Sequence, residues 1–303
     1  MHGGHDYSHS HAPENFGRTF AIATALNIAL VIAQVIYGLL ANSLALLADA
    51  GHNFGDVLGL IMAWAAFAVA DWRPSQRFTF RLRSASILSA FANGLLLVAA
   101  VGVIAWEAVR RLSEPVTVAT TEVIVVAGIA VLINGASACL LNRGSKADLN
   151  MRGAFLHMLA DAGISVAVII IAFGIAFTGW QWLDPAASLL ISAVILVATW
   201  RLLRDSLQLA LGAAPRDVDP AAVRRYLEDQ PEVSEVHDLH IWAMSTTETA
   251  LTCHLVTPAG HPGDAFLHRV ADELRCRFAI GHPTLQIELS DGGQCALQSD
   301  NVL

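Results

Sequence analysis

Apolar residues run almost unbroken through the first two thirds of the chain and then give way to short periodic clusters. Six long runs predict helices over about residues 17–41, 45–70, 84–109, 117–142, 150–178 and 183–204. Each holds about twenty residues or more, the length an α-helix needs to cross the hydrocarbon layer of a bilayer. After Gly212 the pattern changes, with Pro215, Pro220 and Pro231 punctuating a polar segment. There Ala221 to Asp229 has helical spacing, Val236 to Trp242 and Ala250 to Val256 alternate like strands, Ala265 to Phe278 is helical again, and Thr284 to Leu289 alternates. The order αββαβ is most simply packed as a sheet with its helices on one face. The predicted fold is a membrane all-α domain of six transmembrane helices, residues 17–208, joined to a small α+β domain, residues 209–291. A His-rich tail (1–16) and a polar tail (292–303) flank them.

Composition agrees with the pattern. Of 303 residues 55% are hydrophobic and 15% charged, and the mean hydropathy is +0.53, whereas soluble domains carry about 25% charged residues. Among the short connections, Arg18, Arg73, Arg77, Arg81, Arg83, Arg143, Lys146, Arg152, Arg201 and Arg204 fall on one side, against Arg110 and Arg111 on the other. Basic residues near membrane ends stay cytoplasmic, so both termini are expected in the cytoplasm. A formal charge of -8 leaves no footprint for nucleic acid. Cys139, Cys253, Cys276 and Cys295 stand far apart with no CxxC pair, which supports neither a disulfide framework nor a thiolate zinc knuckle. The polar start contains no cleavable signal pattern, and with compact loops this leans toward a bacterial inner membrane. No HExxH, GxSxG or phosphate-loop motif occurs. The small domain is too short for a deep catalytic cleft, so binding or dimerisation is expected of it and the chain is not expected to be an enzyme.

Polar residues inside the spans carry the candidate chemistry. An aspartate at the centre of a membrane helix costs about 2.5–3.5 kcal/mol on insertion scales, so each requires a reason. The second span holds Asp49, His52 and Asp56 in LLADAGHNFGDVLGL, and the fifth holds His157 and Asp161 in AFLHMLADAGISV. In each span His and Asp are four apart, hence on one helix face. A single HxxxD pair would serve equally as an interhelical hydrogen bond. Two matching pairs supply two imidazole nitrogens and two carboxylate oxygens, a tetrahedral set suited to Zn2+. Ca2+ and Mg2+ prefer more oxygens and Cu(I) prefers sulfur. Co2+ tolerates the same geometry, whereas Mn2+ favours oxygen. Asp49 reads as a supporting or proton-handling group, or as a helix–helix polar contact, rather than a ligand. Such a set binds metal with His neutral and Asp ionised, so binding expels protons. Protons are therefore the expected counter-ion, each pH unit of gradient contributing about 1.4 kcal/mol per proton exchanged.

These residues resemble the cation diffusion facilitators, a family of zinc-exporting proton antiporters. SLALLADAGHNFGDVLGL is similar to the family's second span, RPSQRFTF with ANGLLL and EAVRRL to its loop and third span, and HMLADAGISV to its fifth; VSEVHDLHIWAMS and HPTLQIEL resemble the cytoplasmic domain. The resemblance implies a homodimer with a metallochaperone-like cytoplasmic domain. It also implies a transport site of His52, Asp56, His157 and Asp161, with His at the first position going with zinc and Asp there with a broader choice that includes Cd2+. It places His237, His254, His268 and Glu288 at cytoplasmic metal positions, and puts Gln286 where some relatives have a second His. One cytoplasmic site per protomer is therefore expected, with His240 hydrogen-bonding locally. The stretch RLRSAS (Arg81 to Ser86) lacks a charge pair seen in relatives, and neither it nor NRGSKADLN contains histidine. Histidines cluster instead at His2, His5, His9 and His11, as a metal-collecting arm or as a plain solvated tail. The expected function is export of Zn2+ in exchange for H+. The alternatives are Co2+, Cd2+, Ni2+ or Fe2+ as cargo, or a membrane zinc sensor or scaffold that moves nothing.

Overall fold

The structure, a computed structural model, describes residues 16–70, 74–142 and 149–289. The His-rich tail, most of the NRGSKADLN connection and the C-terminal tail lie outside the described residues. Six long helices occupy the predicted runs: α1 (Phe16–Leu40), α2 (Leu44–Ala70), α3 (Ala85–Ser113), α4 (Thr120–Asn142), α5 (Leu149–Thr178) and α6 (Leu183–Ala210). Among the described residues, Ala85–Ser113, Thr120–Asn142, Arg152–Thr178 and Leu183–Ala210 are long and apolar enough to cross a membrane, and Ala25–Leu40 is a shorter apolar helix. They are followed by α7 (Pro220–Glu228), β1 (Glu235–Ala243), β2 (Thr249–Val256), α8 (Asp264–Phe278) and β3 (Ile280–Glu288). This is the αββαβ order predicted.

Two helices outlast their apolar runs. The last turn of α3 carries Glu107, which accepts from Arg111 Nε at 3.0 Å and lies 3.6 Å from Arg110. Such i,i+3 and i,i+4 pairs sustain a helix where apolar packing ends. α6 continues past Arg204 to Ala210 and stops at Gly212, whose φ of 82° lets the chain reverse while Ala213 N–H donates to Gln208 O at 3.0 Å.

The chain divides into two compact units. The first contains α1, α2 through Leu58, α3 from Leu96, α4, α5 and α6 through Thr199. Its core is built from Ala45, Leu46 and Ala48 of α2, Val101 of α3, Val123 and Ala127 of α4, Val168 and Ala172 of α5, and Ile191 and Ile195 of α6. So many alanines and valines allow the close backbone approach that membrane helices need, since no hydrophobic effect drives them together in lipid. The N-terminus of α2 is fixed twice. Ser43 Oγ accepts from Leu46 N–H at 3.1 Å, and the buried Asp184 of α6 accepts from Ser43 Oγ at 2.6 Å, Leu44 N–H at 2.7 Å and Ala45 N–H at 3.3 Å. The carboxylate meets the orphan N–H groups and positive dipole end of α2.

The second unit contains the remainder of α2, α3 and α6 together with the αββαβ segment. Its sheet has the order β1-β2-β3, with β1 antiparallel and β3 parallel to β2. Helices α7 and α8 deliver Val223, Leu227, Phe266, Val270 and Leu274 onto Val236, Ile241, Leu251, Cys253, Leu255 and Ile280. The period of two in the strands turns His237, His254, Gln286 and Glu288 to the other face. α7 opens on Asp219, whose side chain accepts from Ala221 N–H, with Pro220 at the first helical position. β3 begins at Ile280, four residues before the predicted Thr284. Pro283 reads as a strand breaker, yet β3 is an edge strand, where a missing N–H is tolerated.

Candidate metal centres

The spacing of His52 and Asp56 on α2 and of His157 and Asp161 on α5 stacks each pair on one helix face, and the two faces meet. One ligand atom from each residue lies within 4.8 Å of the others. His52 Nε2 is 3.0 Å from Asp161 Oδ1 and 3.9 Å from Asp56 Oδ2; His157 Nε2 is 3.2 Å from Asp56 Oδ2 and 3.6 Å from Asp161 Oδ2. Histidine and carboxylate alternate around the ring. A tetrahedron with arms of about 2.0–2.2 Å has edges of about 3.3–3.6 Å, so these separations suit a zinc-sized ion. The imidazole rings stand edge to face, with centroids 5.8 Å apart, leaving both Nε2 atoms directed at the carboxylates.

Asp49, one turn before His52, stays outside this ring and is fully buried. Its Oδ2 accepts from Gln34 Nε2 of α1 at 2.7 Å and from Ser165 Oγ of α5 at 2.9 Å, and Gln34 Oε1 accepts from Asn53 Nδ2 at 3.0 Å. Asp49 Oδ1 has no hydrogen-bond partner among the described residues. The network ties α1, α2 and α5 together beside the four-residue ring. Sequence reading singled out Asp49 and missed Gln34, Asn53 and Ser165. The signal was present: Gln34 is an amide in an otherwise apolar run, and Ser165 follows Asp161 by four residues on the same helix face.

A second group forms on the open face of the sheet, where His237, His254 and Glu288 place ligand atoms within 4.8 Å. Glu288 Oε2 is 3.3 Å from His237 Nε2 and its Oε1 is 2.9 Å from His254 Nδ1. Both histidines are buried, and neither ring nitrogen of His237 makes a hydrogen bond among the described residues. Buried imidazole nitrogens left without a donor or acceptor fit a cation held between these three side chains. Gln286 donates from Nε2 to Glu288 Oε1 at 2.9 Å and so orients the carboxylate. His268 is not brought to this group within the protomer. Phe266 and Val270 bury one side of α8 against the opposite face of the sheet, and His268, two positions from each, is exposed on the other side. Asp238 was missed. The register of β1 with β2 shifts between His237 and His240, and Asp238 sits there at φ 50°, a bulge that re-aims a side chain. Its Oδ2 lies 3.5 Å from His254 Nε2 and its Oδ1 lies 2.9 Å from His240 Nε2, so His240 bonds locally, as expected. Cys253 turns into the core on the opposite face of the sheet, where burial pushes its thiol up to about 12.

Residues 20–209 match the model of the cation efflux transmembrane domain, and residues 215–290 match that of the cation efflux protein cytoplasmic domain. The metal cation efflux system protein CzcD of Cupriavidus metallidurans is 38% identical over 95% of this chain and 91% of its own length. The zinc transporter ZitB of Escherichia coli is 37% identical over 94% of this chain and 91% of its own. The cadmium, cobalt and zinc/H(+)-K(+) antiporter of Bacillus subtilis is 33% identical over 92% and 91%. A metal-bound C-terminal domain of the CzcD transporter, from Cupriavidus metallidurans, aligns over 24% of this chain and all of that one, with 38% identity and a TM-score of 0.23. With both domain models matched in order along one chain, and relatives similar over nearly its whole length, this protein belongs to the cation efflux, or cation diffusion facilitator, family of integral membrane metal-cation transporters.

Proposed function

We propose that the chain exports Zn2+ from the cytoplasm in exchange for H+, as a homodimer with six spans and both termini cytoplasmic, in a bacterial inner membrane. The single observation that carries this reading is the alternating His–Asp ring made by two helices, with edges of 3.0–3.9 Å. His52, Asp56, His157 and Asp161 hold the ion as cargo. Zn2+ imposes no d-electron geometry and accepts this tetrahedral N/O set. Release requires the same groups to take up protons, so metal and protons compete for one site. Asp49, hydrogen-bonded through Oδ2 only, is the group placed to carry a proton beside the ring. Residues 17–208 are the transmembrane domain and 209–291 the cytoplasmic one, with tails at 1–16 and 292–303. In the cytoplasmic domain His237, His254 and Glu288 hold a regulatory zinc ion that tightens the dimer. A second reading, with Cd2+ or Co2+ also carried, draws on relatives whose names include those metals.

Flux into vesicles with an imposed pH gradient tests the proposal, wild type beside Asp161→Ala. Gradient-dependent Zn2+ flux in the wild type, reduced at least about 100-fold in a folded variant, is expected, because the loss of even an outer-shell partner costs 10–100-fold. Undiminished flux in the variant would remove the assigned site. No flux from folded wild type with any of these metals would favour a sensor.

A further inference from the structure

Within the second unit lies a cavity of about 440 Å3 that no metal reading uses. One part of its wall is apolar, from Gly59 and Ala66 of α2, Ala90 of α3 and Leu202 of α6. Another part is polar, from Arg81 and Arg83 before α3, Ser86, and the turn 245–248 between β1 and β2. Three hydrogen-bonded contacts hold loop and turn together: Arg83 Nη1 to Glu248 Oε2 at 2.5 Å, Ser84 Oγ to Met244 O at 3.3 Å and Thr246 N–H to Ser86 Oγ at 3.1 Å. Arg83 is thereby neutralised, whereas the half-buried Arg81 has no side-chain partner among the described residues. Arg81 also adopts φ 61°, a backbone state disfavoured for a long side chain and retained where something over-determines it. Eight residues into α3, hence about 12 Å deeper, Asn93 lines the same cavity, is 7% exposed, and leaves Oδ1 without a hydrogen-bond partner.

One net positive charge and a row of hydroxyls at one end, and small apolar residues along membrane helices beyond it, describe the complement of an amphiphile. We propose that this cavity is a binding site for one anionic phospholipid, its phosphate against Arg81 and its acyl chains along Gly59, Ala66, Ala90 and Leu202. A free phosphate would use Arg81 and the hydroxyls but leave the apolar wall uncovered, which is why the lipid is the occupant.

Native mass spectrometry of the full-length protein, titrated with phosphatidylglycerol or phosphatidylcholine in detergent, tests this. Wild type should retain one phosphatidylglycerol in preference to phosphatidylcholine. Arg81→Gln should lower that retention about fivefold, the contribution of one basic residue near an anionic lipid, while Arg81→Lys should keep most of it and shows that the site folds without the native side chain. Ala90→Phe, which fills the apolar wall, should weaken both lipids. Equal retention by wild type and Arg81→Gln, or no preference between the two lipids, would overturn the proposal. Displacement of the lipid by millimolar inorganic phosphate would overturn it in favour of a free-anion pocket.

Discussion

Each histidine offers a metal only one nitrogen, so affinity depends on what holds the other. His254 turns Nδ1 toward Glu288 and Nε2 toward Asp238, whose carboxylate lies 3.5 Å away. An outer partner of this kind fixes ring orientation and is typically worth 10–100-fold in metal affinity. Asp238→Asn should therefore weaken Zn2+ binding at the cytoplasmic centre about tenfold, measured by calorimetry on full-length protein in an Asp161→Ala background that silences the transport site. Unchanged affinity would make Asp238 a partner of His240 alone. Cys253 gives a second test at this scale. It is 1% exposed, and burial pushes its thiol from the ordinary value near 9 up to about 12. A raised pKa for an acid favours its neutral form, so the contribution to stability is fully present below pH 9 and is lost as pH rises from 9 through 12. Maleimide at neutral pH should label the exposed Cys276 and spare Cys253 until the protein is denatured, as read by peptide mapping. Rapid labelling of Cys253 in folded protein would contradict its burial.

At the scale of elements, the N-terminus of α2 matters because His52 and Asp56 follow two and three turns later on the same helix. Asp184 accepts three hydrogen bonds there from Ser43, Leu44 and Ala45. Asp184→Asn keeps one acceptor and loses the charge facing the helix dipole, a change of about 1–2 kcal/mol. The melting temperature in detergent should fall by roughly 2–8 °C, and an unchanged melting curve would show that the cap contributes nothing. Asp184 was absent from the sequence reading for a physical reason. Its partners lie about 140 residues away, and nothing local distinguishes it from a first-turn aspartate capping its own helix. By contrast His52, Asp56, His157 and Asp161 were legible, because an i,i+4 pair of polar residues in an apolar run announces both its face and its cost. The six helices were legible as long apolar runs and the αββαβ order through periodicity. The position of His268 was not legible from spacing, because Phe266 and Val270 bury the other side of α8 and leave His268 exposed. Asp238 was hidden by a bulge, which breaks the alternation from which strand faces are read. Gly55 shows a further limit. A Cβ there would run into the Leu97 side chain, so this glycine beside Asp56 allows Leu97 of α3 to pack against α2, which sequence spacing does not disclose.

For the whole molecule, the family assignment says that a cation moves, and on the proposed function protons are what it exchanges with. Every zinc ion bound by His52, Asp56, His157 and Asp161 requires neutral imidazoles and ionised carboxylates, so any proton resident on the ring leaves as the metal enters. The sign follows directly: acid favours protonated ligands and weakens metal binding, and alkali strengthens it. Apparent Zn2+ affinity should fall as pH drops through the imidazole range, by up to about tenfold per pH unit for each proton displaced. A side of the membrane at lower pH therefore unloads the ion and a side at higher pH loads it, which converts a proton gradient into directed export when the ring faces each side in turn. Equilibrium dialysis between pH 5.5 and 7.5 measures the slope, and vesicle flux with the gradient imposed and then reversed measures the direction. Both should share one proton count. A slope near zero with flux indifferent to the gradient would mean that charge is balanced by another ion, for which the K+ in the name of the Bacillus subtilis relative is the first candidate to add to the vesicles.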